Sequence, residues 1–102
     1  MSIVAIIQAL TFTLTVNHTG QRATLHYPVA DHVRWIEVCV IANGTDGWSR
    51  NSCWTPRYKT EEVPIDPRTV TISAHLAVRE HGYRSWFHTP VTRVRHYAPE
   101  EE

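Results

Sequence analysis

Two cysteines and seven histidines are the residues of this 102-residue chain best suited to covalent or metal chemistry, so their spacing is the first thing to weigh. Cys39 and Cys53 lie on either side of a turn centred near Asp46, and a symmetric hairpin would set them opposite one another. A disulfide there needs Cα atoms within about 7 Å. In an oxidising compartment the pair is expected to bridge, and in cytosol to stay as two thiols packed like small hydrophobes. Neither cysteine has a histidine or aspartate partner identifiable by spacing, so no nucleophilic thiol is expected. The histidines form none of the close pairs that put two imidazoles on one cation. His26, His75 and His88 would meet only if strand register brought them together. Dispersed surface histidines are the simpler reading, and no metal site is assigned.

Other chemistry is excluded on similar grounds. The serines at 49, 52, 73 and 85 lie outside any Gly-x-Ser-x-Gly elbow, and no glycine-rich loop opens a helix that could cradle phosphate. Glu61 and Glu62 are adjacent, and neighbouring strand residues point to opposite faces, so they cannot act as an acid/base couple. Asn17-His18-Thr19 and Asn43-Gly44-Thr45 are glycosylation sequons in predicted turns, and turn chemistry accounts for both. The expectation is therefore a chain that is not an enzyme, with no catalytic residue and no cofactor.

The aromatic residues are more suggestive. Trp48, Trp54, Tyr58, Tyr83, Trp86 and Phe87 gather around predicted turns and the last strands, and tryptophan, tyrosine and arginine are the types that anchor interfaces. Two of the four tryptophans, Trp35 among them, are expected inside the core, which leaves others for a partner. Ile3, Ile6 and Ile7 are too apolar to be left wet and are expected to extend a sheet or dock on a neighbouring subunit. The predicted partner-binding set is thus Trp48, Trp54, Tyr58, Tyr83, Trp86, Ile3, Ile6 and Ile7.

Composition bounds the class of protein. The hydrophobic share of 42% and charged share of 20% suit a folded domain rather than a disordered tail. Lys+Arg and Asp+Glu balance at 10 each, so no global field draws the chain toward nucleic acid. Lys59 is the only lysine, and the arginines that make up the rest suit fixed ion pairs. Residues 3–7 are apolar but lack a preceding basic residue and a cleavage site, so a secretory signal is not expected. The run is also too short for membrane insertion.

The elements that must position these residues are strands. Val70, Ile72, Ala74, Leu76 and Val78 alternate with polar or small residues, as do Leu10, Phe12, Leu14 and Val16 with threonines. The spacing predicts a hairpin of 9–16 and 21–27 around Asn17–Gly20, then a strand at 33–42 that folds back on 48–54. In the 33–42 strand Ile36, Val38, Val40 and Ala42 are expected on one face, with Trp35, Glu37, Cys39 and Ile41 on the other. Further strands are expected at 57–63 as a protected edge, at 69–79, and at 85–96 with a break at Pro90. About seven short antiparallel strands in this length predict an all-β, immunoglobulin-like sandwich, with a small closed barrel as competitor. The domain is expected to span 1–97, followed by an acidic tail at 98–102.

The stretch from Ile65 to Thr92 resembles the fibronectin type III module. Ile65-Asp66-Pro67-Arg68-Thr69 is similar to that family's Leu-x-Pro-x-Thr lead-in to its sixth strand. Ala77-Val78, His81-Gly82, Ser85-Trp86 and Pro90-Val91-Thr92 are similar to its run into the seventh, and Leu25-His26-Tyr27 to its second-strand Leu-x-Trp. Thr71 stands where the family's corner tyrosine would be. The resemblance implies a recognition or spacer module rather than a catalyst.

The expected function is a non-enzymatic structural or interaction module. The favoured setting is the virion, as a capsid-decorating or tail-associated accessory subunit of a virus or phage, with protein partners drawn from a larger assembly. A homo-oligomer is an open alternative, and neither nucleic acid nor membrane insertion is expected. The second reading is an extracellular receptor- or adhesion-type recognition domain with a Cys39–Cys53 bridge. The third is an intracellular protein that binds and inhibits an enzyme.

Overall fold

The period-two alternation emerges as eight strands in a computed structural model that describes residues 11–96. They are β1 (Thr13–Val16), β2 (Arg22–His26), β3 (Val33–Gly44), β4 (Ser49–Trp54), β5 (Thr60–Pro64), β6 (Thr69–Glu80), β7 (Tyr83–His88) and β8 (Thr92–Arg93). Two antiparallel sheets result, one in the order β1-β2-β5 and the other in the order β4-β3-β6-β7, with β8 also paired to β6. The expected contributions of Ile3, Ile6 and Ile7, and the tail at 98–102, lie outside the described residues.

The inner faces carry the core. Ile72, Ala74, Leu76 and Val78 of β6 are buried in alternation, as their sequence pattern requires, beside Val38 and Val40 of β3. From the other sheet Leu14, Ala23 and Leu25 meet them, and Phe12, Tyr27, Ile65 and Val94 close the ends. Leu25, Leu76, Val38 and Val78 are fully enclosed.

The β1–β2 hairpin forms as expected, with Gly20 in the left-handed region at φ 75°. Asn17 organises that turn. Its Oδ1 accepts from the Gln21 and Arg22 amides at 3.0 and 3.2 Å. The β3–β4 and β6–β7 hairpins turn through Asp46-Gly47 and His81-Gly82, all four residues having positive φ. Paired left-handed residues of this kind match the twist of the flanking strands.

Two expectations are corrected, and a third is refined at its boundary. The register of β3 shifts between Trp35 and Glu37, and the extra residue of this bulge is Ile36. Trp35 therefore packs against the core, its Nε1 donating to Pro28 O at 2.7 Å, while Glu37 and Cys39 keep the outward face. The last predicted strand breaks at Pro90 as expected, giving β7 and β8, but it begins two residues earlier than expected. β7 starts at Tyr83 because the turn before it needs only two residues, and it stops at Thr89-Pro90. Thr89 ends the ladder by donating its amide to Ala74 O and accepting the Ala74 amide on Oγ1, both at 2.9 Å. Finally, no tryptophan is fully buried. Trp35 and Trp54 lie half-buried against the core instead, since each carries an N–H that must reach a partner near the surface.

Candidate interaction site

The sandwich is open where β4 and β5, each an edge strand of its own sheet, face one another. Inward-facing residues of β4 and β5 alternate with outward ones, so Ser52 and Trp54 point inward from β4 and Glu61 and Val63 from β5. Between the sheets at this edge lies an apolar cleft of about 250 Å³, walled by Trp48, Trp54 and Val63 and floored by Val40, Ile72 and Thr69. Thr69 is 1% exposed, and its Oγ1 has no hydrogen-bond partner. An unpaired buried hydroxyl costs on the order of 1–3 kcal/mol.

Trp48 is fixed at the rim by its surroundings. The Arg68 guanidinium lies 4.6 Å from the indole centroid and that of Arg50 5.8 Å, both within cation–π range. Asp66 ties the two arginines down, with contacts of 3.0 Å to Arg68 Nε and 3.8 Å to Arg50. Hydrogen bonds from the Arg68 side chain and amide pull the Asp66 carboxyl down to about 2. Gly44 lets the indole lie here, because a Cβ at that position would collide with the Arg68 carbonyl and the edge of the Trp48 ring.

Trp54 is fixed by a carboxylate. Glu61 Oε1 accepts from Trp54 Nε1 at 2.9 Å and from Tyr27 Oη at 2.8 Å, and Oε2 accepts the Arg57 amide at 3.1 Å. Burial pushes the Glu61 carboxyl up, but the hydrogen bonds from Trp54, the Arg57 amide, Tyr27 and the Tyr58 amide outweigh it and hold the group below its ordinary range. Burial, and then the Glu61 contact, raises the Tyr27 phenol well above its usual value, so it remains a donor. Glu62 points the opposite way and pairs with Arg22 at 3.3 Å, the split that adjacent strand positions impose. An inward carboxylate on an edge strand also guards β5 against stray pairing.

The predicted aromatics divide into two groups. Trp48, Trp54 and Tyr58 follow one another along the open edge, Tyr58 lining a shallower groove that continues from Trp54 past Glu61. Tyr83 and Trp86 stand apart on β7, 78% and 49% exposed, with Arg84 stacked 5.5 Å from the Trp86 ring. Phe87 turns inward against the core. Thr69, Glu61 and Gly44 were not among the predicted site residues. The sequence places Glu61 and Glu62 on opposite faces, but with Lys59, Thr60 and Glu62 around it nothing local marks Glu61 as the inward one, and nothing local marks Thr69.

Cys39 and Cys53 are directly opposed in the β3–β4 register and form a disulfide. Of the three histidines whose meeting depended on register, His75 and His88 face one another across β6 and β7, with ring centroids 6.0 Å apart. His26 belongs to the other sheet and contacts Thr60. Among the described residues no helix is long and apolar enough to cross a membrane. Comparison with protein-family models, curated proteins and solved structures finds no match.

Proposed function

We propose that this domain is a non-enzymatic recognition module, and that it takes an extended segment of a protein partner against the free edge of β4 with one aliphatic side chain in the adjoining cleft. The largely apolar cleft beside the free β4 edge is the observation that carries this reading. Its size favours a side chain over a cofactor, since small-molecule sites run from about 300 to 1,000 Å³. The β4 edge offers unpaired backbone groups for strand addition, and it holds neither a proline nor a carboxylate, whereas β5 ends on Pro64 and turns Glu61 inward. Trp48 and Trp54 are of the type that dominates binding energy when buried by a partner.

The strand order β1-β2-β5 against β4-β3-β6-β7 supports a fibronectin type III kind of sandwich, in line with the sequence resemblance. Two settings suit the module: an accessory subunit on a virus or phage particle, and an extracellular receptor- or adhesion-type domain. The Cys39–Cys53 bridge is compatible with both, because virion and cell surfaces are oxidising, and it speaks against an intracellular inhibitor.

Selection of displayed random heptapeptides on the wild-type domain, with counter-selection on Trp48→Ala, tests the site. The expected outcome is a family of peptides sharing one large aliphatic residue, bound at least about tenfold more weakly by Trp48→Ala. Thr69→Val should leave their affinity unchanged or improve it without lowering stability, since an aliphatic side chain cannot pair the hydroxyl that it removes. Peptides that bind Trp48→Ala as well as wild type, or that need Trp86 instead, would refute the assignment. Co-sedimentation with particles separates the two settings.

A further inference from the structure

The outward face of the larger sheet holds a row of metal-ligand residue types that no part of the cleft uses. Reading across four strands in register, Cys53 on β4 faces Cys39 on β3, Cys39 faces His75 on β6, and His75 faces His88 on β7. Glu37 shares the face two residues before Cys39. Its carboxylate and the two sulfurs lie within 4.8 Å of one another. Glu37 enters none of the ion pairs made among the described residues, so its charge is uncommitted.

We propose that reduction of the Cys39–Cys53 bridge turns this cluster into a tetrahedral site for zinc, held by the two thiolates, the Glu37 carboxylate and the His75 imidazole, so that the bridge and the metal exclude one another. Two thiolates select a borderline-soft cation such as zinc over calcium or magnesium, which take oxygen ligands. Two Zn–S bonds of about 2.3 Å at a tetrahedral angle hold their sulfurs about 3.8 Å apart. The backbone already places the pair at a Cα separation of 4.1 Å, so side-chain rotation alone opens the sulfurs to that spacing. Cys39 is 7% exposed, which shields its sulfur from competing water. His75 is the neighbouring position in the same row, and its ring, which lies 5.8 Å from Trp86 and 6.0 Å from His88, reaches the ion by swinging away from them toward Cys39. His88 stands a further strand away and stays outside.

The chemistry balances with a dithiol as reductant. The dithiol passes two electrons to the bridge and leaves as its own disulfide, and the chain gains two thiols. Zinc then displaces the two thiol protons, so binding tightens as pH rises.

Cobalt(II) is the probe, and a phosphine is the reductant because it adds no sulfur ligand of its own. The reduced chain is expected to bind a single equivalent of cobalt with sulfur-to-metal charge-transfer absorption in the near ultraviolet, to exchange it for zinc, and to do neither when oxidised. Glu37→Gln and His75→Ala should each weaken cobalt binding by about tenfold or more, while His88→Ala leaves it unchanged. Equal binding by the oxidised chain, a reduced chain without the charge-transfer band, or a loss on His88→Ala equal to that on His75→Ala would each overturn the proposal. Circular dichroism follows the fold alongside. If reduction unfolds the chain, cobalt should restore the β-sheet spectrum together with the band, and a failure to do so also overturns it.

Discussion

Glu61 shows how much one side chain can be asked to do at an open sandwich edge. Its carboxylate is the acceptor for Tyr27, Trp54 and the Arg57 amide, and so joins the segment after β2, the end of β4 and the loop before β5. The sign of its pH dependence follows from the direction of its shift. A carboxyl held below its ordinary value of 4.5 in the folded chain adds stability that is complete above that value and drains away as pH falls through the lower, folded pKa. Denaturant titrations at stepped pH should show the wild type losing stability below about pH 4.5, and Glu61→Gln losing much less there. The loss due to Asp66, whose carboxyl is drawn from 3.8 to about 2, should survive in the variant and appear at lower pH.

At the scale of elements, the β3–β4 hairpin is the part that builds the cleft. It brings Trp48 from its turn, Trp54 from its far end and Cys53 to Cys39, and the close approach at Gly44 sets where the first of these lies. Gly44→Ala has to displace either the Arg68 backbone or the indole, and overpacking of this kind costs about 1–3 kcal/mol. Thermal unfolding should register that cost, and the emission of Trp48 should change as its stacking on Arg68 is lost. An unchanged melting temperature and emission would mean that the hairpin accommodates the methyl without moving the ring. The β6–β7 hairpin is built by the same turn chemistry, yet it presents Tyr83 and Trp86 on an exposed face away from the cleft.

For the molecule as a whole, stability rests on the layer where Leu25 of the smaller sheet meets Leu76 of the larger one, both fully buried. Leu25→Ala and Leu76→Ala should each cost about 2–5 kcal/mol in equilibrium unfolding, and a change under 1 kcal/mol in both would place the core elsewhere. Much of this arrangement was legible in the chain alone. Period-two alternation sorted the inward residues of β6 from the outward ones, turn-forming pairs located the three hairpins, and the symmetry of Cys39 and Cys53 about Asp46 anticipated their opposition. These are local properties, written in the order of residues along a strand and in the few side chains that tolerate a positive φ. The bulge at Ile36, the gathering of Trp48, Trp54 and Thr69 around one cleft, and the row from Cys53 to His88 were settled only by tertiary structure. Each depends on how far one strand slides past another, and that register is decided by the packing of two sheets together rather than by any residue's own neighbours in sequence.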